Sequence, residues 1–309
     1  MIDAQEYENL RQNIQDMVKS GYEVMLFHQG FGETVTFLQL LYKYKELTGK
    51  KLFIFTKVST RTELMQSCPY VDDVIEISEE LYDMLATDYE LRIFCRIRNV
   101  LELHEIVGID KSDIHTQMCD YLQIPGDTPF RPYCMPEIDC NWDEYFDAKG
   151  LIPGNSVYLV PHAVFFGKVV PDDFWLTLVE RLRQKGYTPI MNLPTETIPG
   201  VPYAYFDIFV SLQLAQRCGH VVGVRTGFMD LAAVFIDSDL QIIYPDDTNP
   251  SWKLCEEYTW HEKIEENYFE KYMEGWGVKK LFRREGRENI EEFVYTNTDD
   301  TVDYIISHL

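Results

Sequence analysis

Two phrases in this chain bring together the residue types that hold phosphate. One is Val157–Lys168 (VYLVPHAVFFGK), an apolar run that ends in a turn with His162 and Lys168. The other is His220–Asp230 (HVVGVRTGFMD), an apolar run that ends in Arg225, Thr226 and Gly227, with Asp230 three residues on. Each run is short enough for a strand, and each turn opens a stretch with helical spacing. Backbone N–H groups at a helix start point outward, the helix dipole favours an anion, and a cation adds full charge. Lys168 and Arg225 are therefore candidate phosphate ligands, and the planar guanidinium of Arg225 suits phosphate oxygens. Thr226 offers a hydroxyl and Gly227 a backbone N–H. Asp230 either pairs with Arg225 or holds a ribose hydroxyl. His162 caps its turn or touches phosphate, and Asn192, after the strand at 188–191, meets a base or ribose or simply makes a turn.

A third turn carries the groups that could move a proton. His28 precedes Gly30, Gly32 and Glu33, and a helical pattern follows. A carboxylate there can take the proton from an attacking hydroxyl, and His28 is the second candidate base. The plain alternatives are a Glu33 that complements the helix dipole and a packed His28. Asp237-Ser238-Asp239 has the letters of a divalent-metal motif but precedes a strand, so it reads as a turn and no metal is expected. Arg96, with Arg92 and Arg98, forms one basic spot, and Lys279–Arg287 forms another. These either contact an anionic acceptor or pair with the acidic surface. The aromatic, acidic stretch from Trp252 to Met273 reads as a helix that packs or stacks on sugar.

The elements that must position these groups alternate. Residues 3–20 have helical spacing, with Leu10, Ile14 and Met17 on one face and Gly21 as the stop. Strands are predicted at 23–27, 51–56 and 74–77, with helices between, and 79–122 is largely helical. Prolines at 125, 129, 132, 136 and 153 mark a linker. A second series runs strand 157–160, helix 172–185, strand 188–191, helix 208–217, strand 220–223, helix 227–235 and strand 240–244. Asp299–Leu309 makes a last helix. The pattern predicts an α/β chain of two Rossmann-like, doubly wound domains facing across a cleft. The expected bounds are 1–135 for the first domain, 136–154 for the linker and 155–298 for the second. The helix at 299–309 is expected to return to the first domain. All three turns fall at carboxyl ends of strands, where open α/β sheets bind ligands.

Composition narrows the class. With 28 basic and 51 acidic residues the formal net charge is −23, which argues against nucleic-acid binding and against broad adhesion to anionic lipid. The seven cysteines include no CxxC pair, so neither a disulfide framework nor a structural zinc site is expected. No apolar run approaches the ~20 residues that span a bilayer. The amino-terminal residues lead into a helix without a basic-then-apolar leader, and the chain is expected in the cytoplasm.

The order of these phrases resembles the GT-B glycosyltransferases, and within them the heptosyltransferase-like group, glycosyltransferase family 9. That group opens with a strand, a Gly-x-Gly-Asp-type turn, a helix, a strand and a Pro-x-Val-Asp-x-Val-Ile phrase. Here stand Gly30-Phe-Gly32-Glu33, then 51–56, then Pro69-Tyr-Val71-Asp72-Asp73-Val74-Ile75. The group's second domain opens with strand-Pro, a Lys and a Trp-bearing helix, matched by Pro161, Lys168 and Trp175. Its Gly-x-x-(Thr/Ser)-Gly-x-x-(His/Asp)-x-Ala phrase is matched by Gly223–Ala232. The base position, often Asp in the group, is Glu33, one methylene longer.

The resemblance covers roughly 22–77 and 155–250. It implies a nucleotide-sugar donor in the second domain and a glycan or lipid-linked acceptor in the first, beside Gly30, Gly32 and Arg96. It implies no required metal and no cofactor beyond the nucleotide-sugar substrate. The function it implies is inverting, metal-independent sugar transfer in bacterial surface polysaccharide synthesis, with transient association at the inner membrane surface. A catalytically silent relative acting as a binding subunit, and a nucleotide-sugar epimerase, are the alternatives.

Overall fold

The computed structural model describes residues 4–28, 30–58, 61–91, 114–136, 138–162, 170–244 and 288–309. The chain divides into two compact units, the first Met1–Tyr133 and the second beginning at Cys134. Lys168, Arg96, the Trp252–Met273 stretch and the Lys279–Arg287 run lie outside the described residues.

In the first unit, α1 (Ala4–Lys19), β1 (Glu23–Leu26), α2 (Phe31–Thr48), β2 (Leu52–Lys57), α3 (Arg61–Gln66), β3 (Asp73–Ile77), α4 (Glu79–Thr87) and α5 (Ile114–Leu122) follow in order. The strands pair in parallel as β1-β2-β3, with Glu23 opposite Leu52 and Phe53 opposite Asp73. α1 and α4 bring Ile14, Leu81 and Leu85 onto Val24, Leu26 and Phe55 of the sheet. The Tyr7 hydroxyl (2.6 Å) and Arg11 Nε (2.8 Å) both donate to the Asp88 carboxylate and tie α1 to the end of α4. α2 is buried on nearly every side, α3 and α5 pack against it, and Phe37 stacks on Phe27 at 4.1 Å. A helix that is apolar all round has this fate.

The second unit comprises α6 (Trp142–Lys149), β4 (Ser156–Val160), α7 (Asp172–Gln184), β5 (Thr188–Asn192), β6 (Tyr203–Ala204), α8 (Ile208–Cys218), β7 (Gly219–Val224), α9 (Gly227–Phe235), β8 (Asp239–Tyr244), β9 (Ile290–Val294) and α10 (Thr298–Ser307). All six strands are parallel, in the order β6-β5-β4-β7-β8-β9. Counted within the unit this is 3-2-1-4-5-6, the dinucleotide-fold order, whose direction reverses between β4 and β7. On one face α7 and α10 cover Val157, Leu159, Val222 and Val224. α8 lies against β4 and β7, and also packs on α9.

Three elements differ from the sequence reading. The segment expected as a linker carries α6, which sits in the second unit and buries Trp142 and Phe146. Asn141 caps it through the Glu144 N–H and Gly150 ends it at φ 64°. The helix expected to return to the first domain packs instead on α7. Val302 and Ile305 join the core of the second unit, Arg181 pairs with Asp303, and the Tyr187 hydroxyl donates to the Leu309 carbonyl at 2.7 Å. β6 and β9, which the periodicity does not predict, form the two edges of the larger sheet.

Candidate functional site

In the second unit the reversal of strand order leaves a crevice between β4 and β7, at their carboxyl ends. The turn after β7 is built for close approach. A Cβ added at Gly223 would stand 2.7 Å from Val160 Cβ and 2.9 Å from Met229 Sδ, so only glycine lets α9 close on the two strands. The Arg225 N–H donates to the Ile243 carbonyl at 2.8 Å, extending the β7–β8 ladder by one residue. The Arg225 side chain then folds over the first turn of α9. It pairs with the Asp230 carboxylate, and Nη1 also donates to the Thr226 carbonyl at 3.2 Å. Only 11% of the Arg225 side chain and 6% of Asp230 are exposed, so the pair is fixed in place rather than solvated. Of the two arrangements foreseen for Asp230, the ion pair with Arg225 is present.

Thr226 is the N-cap of α9, and its hydroxyl accepts from the Met229 N–H at 3.3 Å. The first helical N–H groups, at Gly227 and Phe228, have no carbonyl one turn earlier in the helix to bond. At the other helix start, α7 has Pro171 as its N-cap and Asp172 and Asp173 in its first turn. Two carboxylates complement that dipole, whereas the one first-turn carboxylate of α9, Asp230, is paired with Arg225. His162 is exposed after the buried Pro161, and Asn192 is the last residue of β5, facing Ala204 of β6.

At the carboxyl end of the first sheet, Gly30 is the N-cap of α2, and no side chain caps the helix. Glu33, in the first turn, folds back over it: a Cβ on Gly30 would lie 2.5 Å from Glu33 Oε2. The Gly30 carbonyl accepts from both N–H and hydroxyl of Thr34, at 2.9 and 2.7 Å, and the Gly32 carbonyl accepts from the Thr36 hydroxyl at 2.9 Å. His28 shares a 3.3 Å hydrogen bond with the Thr56 hydroxyl and meets the edge of Tyr82 at 6.0 Å. Burial, then the charges of Arg61 and Lys57, push its pKa down to about 4, so the imidazole is neutral at neutral pH. Lys57 is itself held by Glu79 (2.9 Å) and Asp83 (3.0 Å).

Comparison with solved structures adds the decisive observation. The E. coli ADP-heptose lipopolysaccharide heptosyltransferase II superposes with a TM-score of 0.59 and 10% identity, over 93% of this chain and 97% of that one. The E. coli heptosyltransferase WaaC, solved with ADP, gives 0.55 and 10%, over 93% and 100%. The glycosyl transferase family 9 protein from Veillonella parvula gives 0.52 and 14%, over 72% and 79%. This chain has the GT-B glycosyltransferase fold. No protein-family model and no curated protein matches its sequence.

Within this GT-B chain the structure brings Arg225, Thr226, Gly227 and Asp230 together at one helix start, and His28, Gly30, Gly32 and Glu33 at another. His162 and Asn192 sit at the carboxyl ends of β4 and β5, on the β4 side of the strand reversal. Sequence reasoning missed three groups. Arg61 opens α3 after β2, with its guanidinium carbon 5.4 Å from the centre of the Phe31 ring. Tyr244, buried at the end of β8, donates to Glu292 Oε1 at 2.8 Å, and the charges of Arg225 and Asp230 both act on it. An Arg directly after the second strand turn was the available signal for Arg61; Glu292 lies on β9, which the sequence did not reveal. Asp237-Ser238-Asp239 occupies the turn into β8, where the Ser238 hydroxyl donates to Ala215 O at 3.2 Å. Among the described residues no group of His, Cys, Asp and Glu is placed to hold a metal ion, and no helix is long and apolar enough to cross a membrane.

Proposed function

We propose that this protein is a glycosyltransferase that moves a sugar from a nucleotide-sugar donor to a hydroxyl of a glycan or glycolipid in bacterial surface polysaccharide synthesis. The observation that carries the reading is the start of α9: a buried, fixed arginine beside the helix-start N–H groups at the strand reversal of a dinucleotide-type sheet. The chain also has the fold of transferases described as using ADP-heptose or solved with ADP. The diphosphate of the donor sits on the N–H groups of Gly227 and Phe228 with Arg225 beside it. Lys168 supplies a second cation, and Asn192 and His162 border the nucleoside.

In the reaction the acceptor oxygen attacks the anomeric carbon, Glu33 takes the hydroxyl proton, and the carbon–oxygen bond to the phosphate breaks with inversion. The nucleoside diphosphate leaves with the bonding pair, and preorganised donors stabilise its growing charge. Those donors take the part a divalent ion plays elsewhere, so turnover is expected to survive EDTA. The acceptor binds near Gly30, Gly32 and Arg96. A lipid-linked acceptor would bring the chain transiently to the inner membrane surface from the cytoplasm.

Thermal-shift measurements with ADP, GDP, UDP, CDP and dTDP test the reading. One of them is expected to raise the melting temperature through binding linkage. Arg225→Lys keeps the ion pair with Asp230 but loses the fork, and is expected to weaken that nucleotide by about tenfold or more. A melting temperature unmoved by all five nucleotides would remove the transferase reading.

A further inference from the structure

The β8–β9 end of the larger sheet carries a polar pair outside the crevice between β4 and β7. Val224 and Ile243 belong to the core under α7 and α10, and Phe293 packs on it. Side chains alternate along a strand, so the neighbours Arg225, Tyr244 and Glu292 face the other way. That is the side of α9, whose Met229 closes on Gly223. The ladder sets Arg225 beside Tyr244: Val224 pairs with Ile243, and the Arg225 N–H donates to the Ile243 carbonyl at 2.8 Å. The Tyr295 N–H donates to the Tyr244 carbonyl at 2.9 Å and holds the end of β9 against β8. On this face the Tyr244 hydroxyl donates to Glu292 Oε1 at 2.8 Å. Tyr244 is buried, so its ring fixes the direction of that carboxylate, while Glu292 itself is partly exposed. Val294, two residues on and on the same side of β9, is 51% exposed, so the face opens to solvent at its carboxyl end.

We propose that Glu292, oriented by Tyr244, binds hydroxyls of the donor's sugar. The proposal rests on the nucleotide-sugar reading above and assigns the sugar end of that donor. A nucleotide sugar runs from nucleoside through diphosphate to sugar. With the phosphates on Gly227 and Phe228 and the nucleoside toward Asn192 and His162 on the β4–β5 side, the sugar is directed to the β8–β9 side, where Glu292 stands. An ionised carboxylate only accepts hydrogen bonds, through two oxygens, and sugar hydroxyls donate them. Such charge-assisted bonds are roughly twice as strong as those between neutral groups. Tyr244 acts through Glu292 and is a positioning residue.

Isothermal titration with matched ligands tests the assignment: ADP with ADP-heptose and ADP-glucose, GDP with GDP-mannose, and UDP with UDP-glucose. Each set shares one nucleoside diphosphate, so its affinity ratio reports the sugar alone. In Glu292→Gln the best-binding nucleotide sugar is expected to weaken about tenfold, with its free diphosphate within about twofold. Tyr244→Phe keeps the buried ring and is expected to move the ratio in the same direction by less. A purely structural role would weaken both members together. Glu292→Ser serves as the second neutral variant if the Gln variant does not fold. An unchanged ratio in the folded neutral variant overturns the proposal, as does an equal loss for sugar-bearing and free diphosphate. Failure of every ligand to bind the native protein would instead overturn the donor reading, and the sugar assignment with it.

Discussion

Arg225 shows how a residue's neighbours change what its type means. A lone arginine after a strand reads as a phosphate ligand, yet here it is buried against Asp230, and each holds the other in place. Removing one partner leaves the other as an uncompensated buried charge, at a cost of about 3–5 kcal/mol. Asp230→Ala is therefore expected to destabilise the second unit by several times more than Arg225→Lys, as denaturant unfolding would show. His28 contributes to the pH dependence of the first unit. Its folded pKa is about 4 against 6.5 when unfolded, so between those values the unfolded chain binds more protons. The stability that His28 contributes is complete above 6.5 and is lost as the pH falls toward 4. In His28→Asn the drop in melting temperature between pH 7 and pH 5 is expected to shrink; an identical drop in both proteins would contradict the burial of a neutral imidazole. The pairing of Arg225 with Asp230 was one of the arrangements legible from type and spacing. Arg61 and Tyr244 were not, because they lie near these turns through side-chain directions that spacing does not encode.

At the level of elements, the two glycine-bearing turns do different work. A Cβ at Gly223 would meet Val160 Cβ and O of β4 and Met229 Sδ of α9, so Gly223→Ala forces the turn, β4 or α9 to shift. A cost of about 1–3 kcal/mol is expected from overpacking, together with weaker nucleotide binding. At Gly30 the obstructing atom is the end of the Glu33 side chain, which can swing aside. Gly30→Ala is expected to leave stability within about 1 kcal/mol and to lower turnover. A stability loss at Gly30 equal to that at Gly223 would refute the distinction. The strands and helices that flank these turns were readable because their apolar periods are clear: the strands at 23–27 and 220–223 and the helix at 227–235 lie within a residue of those observed. α6 was hidden because its eight residues sit among prolines. β6 has two residues, and β9 (IEEFV) shows no alternation because it lies at a sheet edge.

At the scale of the whole molecule, α10 decides which unit the chain's end belongs to. Val302 and Ile305 are essentially fully buried beneath it. Deleting residues 298–309 is expected to cost at least about 3 kcal/mol, from two aliphatic side chains at about 1.5–3 kcal/mol each. The second unit should then unfold at lower denaturant; an unchanged midpoint would show that the helix is dispensable. The sequence by itself determined the parallel α/β class, the three strand-end turns and the residue types at them. These are local properties, set by hydrophobic period and by what glycine, proline and charge do to a turn. Only the tertiary structure decided that β4 and β7 are neighbours, that the reversal of strand order falls between them, that Arg225 is paired, and that α10 closes the second core. Each of these depends on contacts between residues far apart in the chain, where packing and burial choose among partners that local pattern leaves equivalent.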